Sequence, residues 1–236
     1  MRLSVIPALV LALAASAAGL CAESFRIVSK TRYGEKQSTQ TVLLTPARMK
    51  TTGEGSDSIV EFATGKMTFL DDGKKTYYVT SIDELTAYAK SREEQAKTSG
   101  FTAQSFGSVA PVAARRVGHS RQIAGFSCDE WVFAMGDALV FEVCAARRLT
   151  VPRAYFDARR ASYAGMGPMG RHFEKMFEAM RRIRGYPLSL AMHVKMQEMK
   201  QETLTEVTEV KKGGFPAAAF EIPADYTKKK SPFAPG

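Results

Sequence analysis

The stretch Ile123–Cys144, reading IAGFSCDEWVFAMGDALVFEVC, decides the fold. Two apolar runs of strand length flank Met135-Gly136-Asp137, with a cysteine near each outer end. Folding the run about Gly136 sets Cys128 opposite Cys144, Trp131 opposite Phe141 and Phe133 opposite Leu139. The result is a β-hairpin with one large aromatic and aliphatic face and a candidate cross-strand disulfide. The same register opposes Glu130 to Glu142, an unfavourable like-charge pair. A one-residue slip removes both the cysteine pairing and that repulsion, so the register stays open at this level.

Whether those cysteines are oxidised depends on where the chain goes. Residues 1–22 open with Arg2, continue through the apolar core Val5–Leu13 and end in small residues, the order of a secretory signal peptide. The apolar run is too short to span a bilayer. Cleavage after Ala22 removes Cys21 and leaves two cysteines, an even count suited to an oxidising compartment. The rival is a lipoprotein signal acylated at Cys21, and Leu20 immediately before that cysteine argues against it. The chain is expected to be periplasmic or extracellular, with one domain over residues 23–226 and a disordered basic tail over 227–236. A formal charge of +9 favours anionic partners, such as a membrane surface or an acidic envelope protein. Export disfavours nucleic acid.

Outward from the hairpin, short alternating segments predominate. Strands are predicted at Phe25–Tyr33, Thr39–Thr52 with a break at Pro46, Ser58–Ala63, Met67–Leu70 and Thr76–Thr80, punctuated by Thr64-Gly65 and Asp71-Asp72-Gly73. Such a meander favours an antiparallel sheet. Ser81 with Glu84 forms a capping box, and Ile82, Leu85, Tyr88 and Ala89 recur at helical spacing. Lys97–Ala114 lacks a period and reads as a loop. The arginine-rich run Arg147–Arg184 splits at Gly165, Gly167, Pro168 and Gly170 into two helical pieces. In the second, Phe173, Met176, Phe177 and Met180 form an apolar stripe. Leu188–Met196 alternates best of all, and Thr203–Val210 is its antiparallel partner. The fold class is therefore α+β, a curved antiparallel sheet of about nine or ten strands on two helical segments.

Several motifs carry a family resemblance. Met67-Thr68-Phe69-Leu70 followed by Lys74-Lys75-Thr76-Tyr77-Tyr78, then Ile123-Ala124-Gly125-Phe126-Ser127-Cys128, and finally Phe220-Glu221-Ile222-Pro223-Ala224-Asp225-Tyr226 occur in that order. Together they resemble the exported bacterial proteins of domain-of-unknown-function family 4412, over Phe25–Tyr226. The methionine-rich helical segment and Cys144 lie outside those motifs. That family is similar in architecture to the LolA/LolB-like lipoprotein carriers. The resemblance implies a half-barrel sheet wrapped around helices, with an apolar cavity that accepts acyl chains. It implies no catalytic residues.

Three functional readings follow. In the first, Phe173, Met176, Phe177 and Met180 with Met192 and Met196 line a site for a lipid or other hydrophobic ligand, since methionine adapts to irregular apolar shapes. Arg181, Arg182 and Arg184 would then meet an anionic headgroup. In the second, the same residues are ordinary core and the chain is an envelope interaction protein with no ligand cavity. In the third, Met166, Met169 and His172, or Met196 and Met199, hold copper(I) through thioether sulfur; core packing accounts for these methionines better, so no metal site and no cofactor is expected. His119, His172 and His193 stand in no zinc, triad or nucleophile context. Glu130 with Glu142 is the one candidate carboxylate pair. The expectation is a binding protein and not an enzyme.

Overall fold

The computed structural model describes residues 23–53, 57–98, 110–163, 168–196 and 199–234. The expected signal peptide, residues 1–22, lies outside them. Among the described residues twelve strands form one open sheet. The first six are β1 (Phe25–Tyr33), β2 (Lys36–Leu44), β3 (Arg48–Gly53), β4 (Asp57–Glu61), β5 (Lys66–Asp71) and β6 (Thr76–Ser81). They run outward from β1 as an antiparallel meander. A second meander comprises β7 (Ala113–Ile123), β8 (Phe126–Met135), β9 (Leu139–Ala146), β10 (Tyr186–Met196) and β11 (Met199–Lys212). β11 pairs with β1 and joins the two halves at the middle of the sheet. Three helices, α1 (Ile82–Thr98), α2 (Arg153–Tyr163) and α3 (Pro168–Met180), complete the α+β fold: the capped segment and the two arginine-rich pieces read from spacing.

Local chemistry explains most boundaries. The predicted break at Pro46 is a turn in which the Thr45 hydroxyl accepts from the Arg48 amide and donates to the Arg48 carbonyl, both at 2.9 Å. The capping box forms as read: the Glu84 amide donates to Ser81 Oγ and the Ser81 amide to Glu84 Oε2, each at 3.0 Å. Ala124 and Gly125 both take positive φ, 48° and 82°, the two-residue turn that suits the twist of a hairpin. That turn explains the IAGFSC motif as the β7–β8 corner.

The β8–β9 hairpin differs from the expected register by two residues. A fold centred on Gly136 would spend Met135 in the turn, whereas Met135 is a buried strand residue at 3% exposure and the turn starts one residue later. The loop is instead Gly136-Asp137-Ala138, with Met135 opposite Leu139, Phe133 opposite Phe141 and Trp131 opposite Val143. A shift of two keeps every side chain on its face. Glu130 now faces Cys144 and Glu142 faces Val132, which removes the like-charge opposition. The Cys128–Cys144 disulfide is present, but it runs diagonally between the strands, with Cα atoms 5.3 Å apart.

The main core lies between the sheet and the helices. Along β1, Phe25, Ile27 and Ser29 point inward and Arg26 and Lys30 outward. The α3 stripe is buried throughout, with Met176 and Met180 at 0% and 1% exposure. Phe173 and Phe177 pack on Phe141 of β9 at 6.0 and 5.8 Å between ring centroids. Each such burial contributes about 1.5–3 kcal/mol, which is how α3 is held against a sheet it meets only through side chains.

The chain end is not a free tail. Phe220 packs with Ile59 and Leu70 on the outer face, so the FEIPADY motif caps a second small core. Thr227–Lys228 (β12) then pairs in parallel with β6, and Phe233 reaches Tyr78 and Tyr88. The expectation of disorder over 227–236 is thereby corrected for residues 227–234. The lysines hid two anchors, an open β6 edge for backbone pairing and an aromatic pocket for Phe233. Covering that edge also protects it from strand addition by another chain.

On β8, Asp129 accepts hydrogen bonds from Arg116 at 2.7 Å and from Arg147, tying three consecutive segments together. Burial pushes its carboxyl up, but the two guanidinium groups outweigh burial and hold it below the ordinary 3.8. A depressed folded-state pKa gives stability that is present above the unfolded value and lost as pH falls through the folded one. Asp129→Asn is expected to lower stability by about 1 kcal/mol at neutral pH, since both arginines are half exposed and screened. In urea melts, the gap to wild type should close below the ordinary carboxylate value of 3.8. A gap that persists there would remove the ion pairs as its cause.

Candidate ligand-binding cavity

Between the sheet and the α2–α3 pair lies a cavity of about 310 Å³. Its floor comes from the strands where the two meanders meet: Ser29 and Thr31 of β1, Gln40 of β2, and Thr203, Thr205 and Val207 of β11. Thr31 and Thr205 are register partners, and their hydroxyls share a hydrogen bond of 2.9 Å. One wall is Tyr186, Pro187, Leu190 and Met192 of β10. The roof is Tyr155, Phe156, Arg159 and Tyr163 of α2, with Phe177 and Met180 of α3. The volume sits at the low end of the range for small-molecule sites. Thr31, Gln40, Leu190 and Met192 are only partly buried, so water reaches the space.

The roof is built by helical spacing. Tyr155, Arg159 and Tyr163 fall at i, i+4 and i+8 and share one face of α2. Tyr163 stacks on both Phe173 and Phe177, at 4.9 and 5.0 Å. Tyr186 packs on Tyr155 at 5.6 Å, and the Arg159 guanidinium lies 5.7 Å over the Tyr155 ring. Desolvation raises the Tyr186 phenol well above its ordinary value, so it is a neutral hydroxyl. The nearby tyrosines, Tyr155 foremost, raise the Arg159 pKa against the opposing effect of burial, and the side chain is a permanent cation.

The expected site residues divide. Phe177, Met180 and Met192 line the cavity. Phe173 and Met176 lie in the packed core behind it, with Met176 fully buried. Met196 pairs with Met199 in the ladder, and its side chain lies outside the described residues. Arg181 reaches Asp157 of α2 at 3.5 Å, and Arg182 is exposed; both border a depression on the outer side of the helices with Arg153, Lys175 and Glu178. The arginine at the cavity is Arg159, which sequence reading passed over. Its signal was its place on the face that carries Tyr155 and Tyr163.

The remaining candidates are elsewhere. Met166 and the side chains of Met169 and Met199 lie outside the described residues, while His172 is buried on α3. Glu130, Glu142 and His193 lie on the opposite face of the sheet, where Glu130 pairs with Arg121 at 2.9 Å and His193 is 3.9 Å from Glu202. Among the described residues no three His, Cys, Asp or Glu side chains are arranged to hold a metal ion. No helix among them is long and apolar enough to cross a membrane.

Among solved structures, the fold is similar to an uncharacterized conserved protein from Thermus thermophilus, with TM-score 0.49 and 10% identity over 90% of this chain and 92% of that one. It is also similar to a chain of the Pseudomonas aeruginosa MucA/MucB complex, with TM-score 0.39 and 12% identity over 86% of this chain and 56% of that one. A LolA superfamily protein from Nitrosomonas europaea gives TM-score 0.33 and 7% identity over 86% and 91% of the two chains. No curated protein matches the sequence. A family model described as a domain of unknown function, DUF4412, matches residues 32–226. That span contains the KKTYY, IAGFSC and FEIPADY segments, the strands β2 to β11 and all three helices, and the chain belongs to the DUF4412 family.

Proposed function

We propose that this protein is an exported, non-enzymatic binding protein for a lipid or another hydrophobic ligand, held between the sheet and the α2–α3 pair. The observation that carries the reading is the cavity itself. Its apolar lining of Phe156, Phe177, Met180, Leu190 and Met192 borders an unfilled space of about 310 Å³, which Leu190 and Met192, only partly buried, leave open to solvent. Protein interiors rarely leave such space unfilled, and an apolar surface kept accessible is stabilised when a ligand covers it. The buried disulfide supports export, because such bonds persist in oxidising compartments.

The test is native mass spectrometry of protein purified from an envelope extract, beside Leu190→Trp, which fills the cavity from its wall. Wild type is expected to carry bound acyl masses and the variant to emerge bare with an unchanged thermal midpoint. A bare wild-type mass, even after incubation with excess lipid, would contradict the reading.

A further inference from the structure

We infer that the occupant of this cavity is a single-chain amphiphile with an anionic oxyanion head, a carboxylate or a phosphate, and that Arg159 holds the head. The inference rests on the cavity-binding reading and adds the chemical class of the ligand.

The charge distribution of the helical pair motivates it. Arg160 has Glu174 at 3.1 Å and Arg181 has Asp157 at 3.5 Å. Arg159, between them in sequence proximity and turned inward, has no carboxylate within ion-pair distance among the described residues. Its neighbours are Tyr155, Tyr163 and Tyr186, and the hydroxyls of Tyr155 and Tyr186 accept hydrogen bonds from it without supplying a carboxylate. A partly buried guanidinium without a counter-charge is costly to keep, and an entering anion relieves that cost while gaining charge-assisted hydrogen bonds. Lysine could not replace its planar fork of donors on equal terms.

The opposite side of the cavity fits the same head. The inward face of β1 is apolar at Phe25 and Ile27 and then switches to Ser29 and Thr31. Across the ladder, β11 makes the matching switch from Val207 to Thr205 and Thr203. These hydroxyls lie where β1 and β11 pass beneath α2, so a donor-rich floor faces the guanidinium. Hydroxyl donors suit an oxyanion and give nothing to a hydrocarbon head. The apolar lining from Leu190, Met192, Phe177 and Met180 then receives the chain.

Isothermal titration of the purified protein with dodecanoate, dodecyl phosphate, dodecan-1-ol and inorganic phosphate tests this directly. Wild type is expected to bind one or both anionic amphiphiles about ten- to a hundredfold more tightly than the alcohol. Whichever of the two binds more tightly identifies the head as carboxylate or phosphate. Arg159→Gln should erase the preference by weakening the anionic amphiphiles far more than dodecan-1-ol, and Arg159→Lys should restore part of it. Equal affinity of wild type for alcohol and acid would overturn the inference while leaving the cavity reading intact. Binding of inorganic phosphate as tight as that of dodecyl phosphate would also overturn it, showing a site for free anions. Failure of every amphiphile to bind would remove both readings together. The wild-type comparison decides the matter even if Arg159→Gln does not fold.

Discussion

Gly185→Ala is expected to destabilise the protein by more than about 3 kcal/mol and to abolish ligand binding with it. Gly185 sits at φ +111°, a region essentially closed to residues with a Cβ. A Cβ there would stand 2.1 Å from the Ala146 carbonyl oxygen and 2.5 Å from its carbon. These are backbone atoms at the end of β9, and they cannot rotate away. The close approach has a purpose. It lets the chain leave α3, cross β9 and enter β10 with Tyr186 opposite Ala146, its amide donating to the Leu149 carbonyl at 2.8 Å. Displacing that crossing moves Tyr186 and Pro187, two residues of the cavity wall. Gly136→Ala is the control, since Gly136 also has positive φ, 57°, but a Cβ there would meet nothing within 4 Å. Urea melts should show about 1 kcal/mol for Gly136→Ala and several times that for Gly185→Ala. Equal effects would mean that the backbone contact is not decisive.

Removing the disulfide, by the double change Cys128→Ser and Cys144→Ser, is expected to cost about 3 kcal/mol, the value for closing a loop of this size. The cysteines are 16 residues apart and both are buried, at 2% and 1% exposure. The bond joins β8 to β9 across the strands that support Phe133 and Phe141, against which α3 packs. Its loss should lower the urea midpoint with little change in slope, and reductant should reproduce the effect in wild type only. Native protein produced without residues 1–22 should show no thiol that reacts with a maleimide. An unchanged midpoint, or two reactive thiols in the untreated protein, would contradict the account.

Much of the fold was legible because its period-2 and period-3.6 patterns are clean. The β1 boundaries, the capped α1, the two basic helices and the long β10 strand all follow from residue spacing. What escaped was set by geometry that spacing does not encode. The hairpin register depended on which three residues the turn takes, with Met135 kept in the buried strand, so the cysteines were paired correctly but for an in-register reason that does not hold. The chain end looked disordered because its lysines dominate the composition, while its order rests on backbone pairing to β6 and one aromatic, Phe233.

The cavity was legible only in part. Apolar spacing on α3 led to Phe177 and Met180, but the same stripe included Phe173 and Met176, which serve the core. Periodicity cannot separate a cavity wall from a packed interior, since both are apolar. The polar lining was the better guide, had it been read. Serine and threonine on the inward face of β1 and β11, and an arginine on the tyrosine face of α2, break the pattern that packing alone would produce. Arg181 and Arg182 drew notice by their clustering, yet clustering marks a solvated surface.

The most direct test of the central claim is a methyl NMR titration of protein carrying ¹³C-labelled methionine methyl groups, with dodecanoate as the added probe. Met180 and Met192 line the cavity, whereas Met49 and Met67 are buried under the far half of the sheet. The account predicts saturable shifts at Met180 and Met192, with Met49 and Met67 unmoved. No shifts at any methionine, or shifts of equal size at Met49 and Met67, would contradict it.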